Sequence, residues 1–140
     1  GEAEVLRGAR VLLAEDNEIN MEISTELLSG AGVEVIQAWN GREALDAFAA
    51  SEPGSIDAIL LDMKMPEMDG CEAARAIRAL DRDDAHDVPI VAVTANAFAE
   101  DVAATTAAGM DAHVSKPIDF TVLCHTLAGL MAARRGGATR

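Results

Sequence analysis

Residues 56–70 read IDAILLDMKMPEMDG, and this stretch decides the fold class. Its first part, 56–61, is short and almost continuously apolar, which predicts a strand buried on both faces. Pro66 predicts that a loop follows Asp62. Asp69, with a glutamate three residues later, has the capping-box pattern that begins a helix. A buried strand, a loop and a helix in this order indicate one unit of a parallel α/β sheet.

The same unit recurs along the chain on both sides of this stretch. Strands are predicted at 10–14, 33–37, 56–61, 88–93 and 111–114. Helices are predicted at 17–30, 40–50, 69–80, 97–108 and from 119 onward. This alternation predicts an α/β fold, a doubly wound five-stranded parallel sheet with helices on both faces. The polar run 81–87 is expected to be a solvated connection.

The first predicted helix carries its apolar residues in one row. Ile19, Ile23 and Leu27 recur every four residues, as on the apolar stripe of an amphipathic helix. Asn17 precedes this helix and is a suitable N-cap.

Length and composition limit the range of functions. The chain has 140 residues, half of them hydrophobic, and a net charge of −13. We expect one domain at 10–133, an N-terminal extension or linker at 1–9 and a flexible tail at 134–140. The negative charge argues against direct binding to nucleic acid or to an anionic membrane surface.

The chain carries no sign of export. No apolar run approaches the ~20 residues that cross a bilayer, and the N-terminus has no signal-peptide core. Cys71 and Cys124 lie far apart, without metal-binding spacing, and are expected to be thiols. A cytoplasmic location follows.

Polar residues end four of the predicted strands and point to one site. They are Glu15-Asp16, Asp62, Thr94 and Lys116. The carboxyl ends of parallel strands meet at one edge of a sheet, where ligands bind. Three carboxylates together favour a hard divalent cation with oxygen ligands, above all Mg²⁺. A hydroxyl and an ammonium beside them suit a phosphoryl group.

Four motifs carry a family resemblance, which covers about 10–130. They are AEDN at 14–17, LLDMKMPEMDG at 60–70, VTANA at 93–97 and SKP at 115–117. In order and spacing they resemble the receiver domains of two-component response regulators. The resemblance implies a flavodoxin-like (βα)5 fold, in agreement with the predicted elements.

The resemblance also implies roles for the acidic residues. Asp62 corresponds to the phosphoacceptor. Asp16 and Asp62 correspond to direct Mg²⁺ ligands, Glu15 to a ligand acting through water, and Lys64 to the residue whose backbone carbonyl binds the metal.

The remaining roles concern the phosphoryl group and the response to it. Thr94 corresponds to the hydroxyl that bonds a phosphoryl oxygen, and Lys116 to the lysine that pairs with the carboxylate and then with the phosphoryl group. The bond from Lys116 to Pro117 is cis in the family. His113 occupies a position where the family usually carries Tyr or Phe, so Thr94 and His113 are the expected switch pair. The alternative is an ordinary, partly buried histidine.

The implied function is acceptance of a phosphoryl group from a histidine kinase or a histidine phosphotransfer domain. The domain would catalyse its own phosphorylation and dephosphorylation without being a turnover enzyme. A homodimer through the fourth predicted helix, the fifth strand and the fifth helix fits the same resemblance.

The context of the domain has several readings. The segments LRG at 6–8 and EDNEIN at 15–20, with the non-Met start, are most like receivers of hybrid histidine kinases. The alternatives are a stand-alone response regulator, a receiver-like protein that only binds partners, and a phosphatase of the haloacid-dehalogenase type. The last needs a second aspartate two residues after the nucleophile, where this chain has Lys64.

Overall fold

The computed structural model describes residues 1–95 and 99–138, and its centre is one parallel sheet. The strands are β1 (Arg10–Ala14), β2 (Glu34–Ala38), β3 (Ala58–Asp62), β4 (Ile90–Thr94) and β5 (Ala112–Ser115). Their order across the sheet is β2-β1-β3-β4-β5, and every neighbouring pair is parallel. The predicted doubly wound, flavodoxin-like fold is confirmed.

Seven helices surround the sheet within the described residues. They are α1 (Glu2–Leu6), α2 (Glu18–Gly30), α3 (Gly41–Ala50), α4 (Gly70–Arg78), α5 (Asp84–Asp87), α6 (Ala99–Ala107) and α7 (Phe120–Ala138). The side chains of Asn17, Asn40 and Asp69 cap α2, α3 and α4, each accepting a backbone N–H three residues on. The predicted start of a helix at 97 lies outside the described residues.

The strands bury alternate side chains in two cores. On one face Leu12 and Leu61 pack with Phe48 of α3 and Ile77 of α4. On the other face lie residues of β1 and β3 together with α1, α2 and α7, among them Leu13, Leu60, Met21 and Leu127. This period of two is that of a sheet covered on both sides.

The last four strands begin and end one or two residues later than predicted. Ile56 and Val88 are fully buried, but they precede the first paired residues of β3 and β4. An apolar run predicts which residues are buried, and buried residues can lie outside the hydrogen-bonded part of a strand. As a consequence, Asp62 and Thr94 are the last residues of their strands. Both side chains are therefore held by the sheet itself.

The expectation of a solvated connection at 81–87 holds only in part, because four of the seven residues are exposed but the centre is buried. Residues 84–87 form α5, and Asp84 is buried. Arg82 makes two hydrogen bonds to the Asp84 carboxylate, at 2.6 and 2.7 Å, and donates to the carbonyls of Phe48 and Ser51 at the end of α3. A charged pair with its hydrogen bonds satisfied can be buried where isolated charges cannot.

Helices lie at both ends of the described chain. At the N-terminus Leu6 of α1 is buried against the core, and Glu2 contacts His125 of α7. At the C-terminus α7 continues to Ala138, so the predicted tail at 134–140 is helical as far as 138; residues 139 and 140 lie outside the described residues. Among the helices described, none has the length and apolar character needed for crossing a bilayer.

Candidate functional site

Three carboxylates meet at the carboxyl edge of the sheet. Asp62 ends β3, while Glu15 and Asp16 follow β1 directly. The Glu15 N–H donates to the carbonyl of Ala38 in β2, which fixes the turn out of β1. Glu15 and Asp62 are buried, Asp16 is exposed, and one carboxylate oxygen from each of the three lies within 4.8 Å of the other two.

Lys116 supplies the positive charge of this cluster. Its Nζ donates to Asp62 Oδ2 at 2.7 Å and lies 3.8 Å from Glu15 Oε2. Its backbone N–H donates to the carbonyl of Thr94 at 2.8 Å, which ties the turn after β5 to the end of β4. The bond from Lys116 to Pro117 is cis, as the resemblance implies.

Thr94 lies on the strand next to Asp62. It ends β4, is buried, and pairs with Ser115 in β5. The preceding residue, Val93, pairs with Asp62 of β3. Thr94 and Asp62 therefore end neighbouring strands at the same edge of the sheet.

The loop after β3 places Lys64 beside the carboxylates. The Lys64 N–H donates to Asp62 Oδ1 at 3.3 Å. Lys64 and Asp16 both line an open hollow of about 450 Å³. The opening gives a ligand access to the exposed side of the cluster.

Two glycines allow this loop to pack closely. A Cβ on Gly70 would lie 2.5 Å from the carbonyl oxygen of Asp62, and a Cβ on Gly41 would lie 2.2 Å from that of Met68. The Gly41 N–H instead donates to that Met68 carbonyl, and the Gly70 N–H donates to the carbonyl of Met63. The loop is therefore anchored to the first turns of α3 and α4, a contact between distant segments that the sequence motifs do not indicate.

The electrostatics of the cluster favour an added cation. Burial raises the pKa of Glu15, and the neighbouring Asp62 raises it further, against the lowering effect of the Asn17 N–H and of Lys116. Burial by itself would lower the pKa of Lys116, but its hydrogen bond to Asp62 and the surrounding negative charge raise it overall. One ammonium thus stands among three carboxylates.

The donor set fits a magnesium ion. Three carboxylates offer hard oxygen ligands, they converge within 4.8 Å, and Asp16 is open to solvent on the side of the hollow. Mg²⁺ is bound through a few carboxylates while it keeps several waters, which suits a partly open cluster of this kind.

The structure brings Glu15, Asp16, Asp62 and Lys116 together, with Thr94 at the adjacent strand end. His113 lies elsewhere: it is the second residue of the edge strand β5 and is exposed rather than partly buried. His113 lines a separate hollow that residues of α6 and α7 also border.

The apolar row of α2 faces solvent rather than the core. Ile19, Ile23 and Leu27 are 68, 51 and 44% exposed, whereas Met21 and Leu28 of the same helix are buried. Met21 and Leu28 are seven residues apart, which is the spacing of residues on one face of a helix, and they form the core face of α2. In the sequence, the row of Ile19, Ile23 and Leu27 stands out instead because it has three members.

The chain resembles known receiver proteins over most of its length. The family model for the response regulator receiver domain matches residues 11–128. Hybrid signal transduction histidine kinase L of Dictyostelium discoideum is 42% identical over 112 residues, which are 78% of this chain and 6% of the kinase. The polar-differentiation response regulator DivK of Brucella anthropi is 36% identical over 84% of this chain and 91% of DivK.

A solved structure shows the same fold. The receiver domain of a Pseudomonas aeruginosa sensor histidine kinase, solved with a magnesium ion coordinated in its active-site cleft, has a TM-score of 0.80 and 33% identity. The match covers 89% of this chain and 98% of that domain.

Proposed function

The chain belongs to the family of response regulator receiver domains, and on this premise we propose that it accepts a phosphoryl group from a phosphohistidine onto Asp62. The observation that carries the assignment is the placement of Asp62. It is a buried carboxylate at a strand end, bonded to Lys116 at 2.7 Å and within 4.8 Å of two further carboxylates. We assign 10–133 as the receiver domain.

The metal site proposed for this chain is magnesium held by Asp16, Asp62 and the backbone carbonyl of Lys64, with Glu15 bound through water. When bound, Mg²⁺ would offset the repulsion between the carboxylate and the incoming phosphoryl group. The relative with magnesium in its cleft and the three converging carboxylates support this proposal.

Asp62, Lys116 and Thr94 have separate roles in the phosphotransfer step. A carboxylate oxygen of Asp62 attacks phosphorus, the P–N bond of the phosphohistidine breaks, and its electron pair stays on the imidazole. The Lys116 ammonium, already hydrogen-bonded to Asp62, stabilises charge on the transferred group, and the Thr94 hydroxyl donates to a phosphoryl oxygen. Attack by water on the same phosphorus later releases inorganic phosphate and restores Asp62. The domain thus acts on itself and is no turnover enzyme.

The response to phosphorylation is proposed to pass through Thr94 and His113 to the surface of α6, β5 and α7. Thr94 ends β4, His113 is exposed on the neighbouring β5, and these strands pair along their length. This surface is also the one through which a homodimer would form.

The phosphodonor is proposed to be a histidine kinase or a histidine phosphotransfer domain, and the chain to be the receiver part of a hybrid histidine kinase. The similarity to the Dictyostelium kinase supports this context, and the similarity to DivK over nearly all of its length supports a stand-alone regulator as the alternative. The proposed location is the cytoplasm, with no direct binding to nucleic acid or membrane.

Labelling by acetyl phosphate with Mg²⁺ tests the assignment. The parent should gain one phosphoryl group, Asp62→Asn none, and the exposed-site control Asp46→Asn one. Stoichiometric labelling of Asp62→Asn would refute it.

A further inference from the structure

The short helix α1 packs on α7, although it precedes the family match, which begins at residue 11. Leu6 of α1 is 3% exposed and belongs to the same buried cluster as Cys124 of α7. The carboxylate of Glu2 contacts the imidazole of His125, the next residue along α7. Helix α1 is thus an element added to the part of the chain that the family defines, and the two contacts fasten it to α7.

The attachment of α1 is small. Of its five residues only Leu6 is buried, Val5 is half-buried and residues 2–4 are exposed. Five residues are too few for a helix that is stable on its own, so α1 keeps its form because it is docked. Gly8, just behind it, has a φ of +80°, a backbone conformation that suits a hinge before β1. An element with so few buried contacts belongs to the least stable part of a fold and can detach while the sheet stays intact.

The two helices are tied to different parts of the molecule. Helix α1 leads through Gly8 and Ala9 into β1, and the Ala9 carbonyl accepts the N–H of Glu34, so α1 follows the sheet. Helix α7 begins four residues after Lys116, whose ammonium is bonded to Asp62 at 2.7 Å. The contact between α1 and α7 therefore joins an element fixed to the sheet with an element linked to the candidate site.

We infer that α1 is a detachable strap on α7 and that phosphorylation of Asp62 loosens it. The inference rests on the function proposed above. A phosphoryl group on Asp62 places its charged oxygens farther from the strand end, and the Lys116 ammonium follows that charge. A shift of Lys116 passes into α7, because only three residues lie between them. Packed contacts switch between discrete arrangements rather than deform continuously, so the small contact with the sheet-bound α1 is the one that opens.

Release of the strap would uncover an apolar strip on α7. Cys124, Ala128 and Met131 recur at helical spacing along it and are 9, 3 and 1% exposed. Burial and the nearby Glu2 carboxylate raise the pKa of the Cys124 thiol. Because the thiolate is the reactive form, the covered thiol reacts slowly, and its rate of reaction reports how often the strap opens.

Thiol labelling of Cys124 tests the inference. The chain has two cysteines, so Cys71→Ser leaves Cys124 as the only thiol and serves as the parent here. A maleimide is added at fixed pH and fixed Mg²⁺, with or without beryllofluoride, an inorganic mimic of the phosphoryl group. Beryllofluoride should raise the labelling rate about fivefold or more, the lower range of coupling between distinct sites. The same addition should leave the rate unchanged in Asp62→Asn.

Two variants open the strap without the mimic. Leu6→Ser removes the buried anchor and should raise the rate of Cys124 labelling at least about tenfold, since loss of a buried leucine is costly to the contact that holds it. Deletion of residues 1–6 should do the same. The control is Val122→Ser, which removes an apolar side chain of α7 that is 49% exposed and should keep the parental rate. Cooperative unfolding and acetyl phosphate labelling at Asp62 verify that each variant is folded.

Reciprocity gives a second measurement. If the phosphoryl mimic favours the open strap by some factor, an open strap must favour the mimic by the same factor. The deletion variant should therefore bind beryllofluoride about as many times more tightly than the parent as beryllofluoride accelerates labelling of the parent. Titration calorimetry measures both affinities, and a merely structural role for α1 would leave them equal.

The outcomes separate this inference from the proposed function. A parent that acetyl phosphate labels at Asp62, but whose Cys124 reacts no faster with beryllofluoride, refutes only the strap inference. Parental labelling rates in both Leu6→Ser and the deletion variant would show that α1 does not cover the thiol, and would overturn the inference too. A parent with no labelling at Asp62 from any donor refutes the proposed function and, with it, the coupling inferred from it.

Discussion

Lys116 Nζ and Asp62 Oδ2 lie 2.7 Å apart although 54 residues separate them in the chain. The two strand ends that carry them are not neighbours in the sheet, because β4 runs between β3 and β5. The side chain of Lys116 therefore reaches across the end of β4, where its backbone N–H is bonded to Thr94.

Removal of this ammonium should destabilise the metal-free protein. In Lys116→Met, buried Glu15 and Asp62 face each other without their cation, and we expect a loss of about 1–2 kcal/mol in the free energy of unfolding at pH 7. That is below the range for a fully buried pair, because Lys116 is 30% exposed. Mg²⁺ should recover much of the loss. Denaturant unfolding with and without Mg²⁺ measures both effects, and Lys64→Met, which removes an exposed charge, is the control; equal stabilities of the two variants would contradict the prediction.

Gly70 is expected to tolerate no side chain. In Gly70→Ala the new Cβ would lie 2.5 Å from the Asp62 carbonyl oxygen, so the loop or α4 must shift, at a cost of about 1–3 kcal/mol. Acetyl phosphate labelling should also slow, because the displaced backbone carries Asp62. Gly129→Ala in α7 meets nothing within 4 Å and should be neutral or stabilising by up to about 1 kcal/mol. Thermal unfolding and labelling rates of the two variants make the comparison.

Glu15 should weaken the metal-free fold at neutral pH. Its pKa in the folded state is raised from the ordinary 4.5 by burial and then by Asp62, so the folded state binds this proton more tightly than the unfolded chain does. The destabilisation is complete above the folded pKa and disappears as pH falls below 4.5. Glu15→Gln should therefore be more stable than the parent at pH 7 without Mg²⁺, with the difference vanishing near pH 4. The control variant Glu18→Gln, at an exposed position, should show no such pH-dependent difference from the parent when unfolding is measured from pH 4 to pH 7.

Protonation of Asp84 should account for part of the stability that the protein loses in acid. Hydrogen bonds from Arg82 lower its pKa from 3.8 to about 2. The stabilisation is present above pH 3.8 and is lost as pH falls toward 2, and the shift corresponds to about 2 kcal/mol. Asp84→Asn should lose about this much at pH 7 and show a flatter stability curve between pH 4 and 2. Asp83→Asn, at a neighbouring exposed carboxylate, should follow the parent curve; a similar flattening there would assign the effect to general charge.

The sequence alone determined the fold class and the chemical content of the site. Buried strands must be apolar on both faces, so runs such as 56–61 reveal a parallel sheet. Its carboxyl edge must then collect whatever polar residues end the strands. Asp62 and Lys116 could be assigned to one site on this ground because parallel topology fixes the edge at which each strand ends, whatever the detailed packing.

Only the tertiary structure decided which surfaces are covered. The row of Ile19, Ile23 and Leu27 has the spacing of a core-facing stripe, yet it is exposed. Met21 and Leu28 of the same helix are buried instead. When a helix has two apolar rows, its packing against the sheet decides which row is buried. The run at 81–87 has the composition of a solvated loop. Arg82, however, donates hydrogen bonds to the carboxylate of Asp84 and to a backbone carbonyl at the end of α3, so Asp84 is buried in an ion pair. Burial of this kind depends on partners distant in the chain, and a local pattern of residues does not contain them.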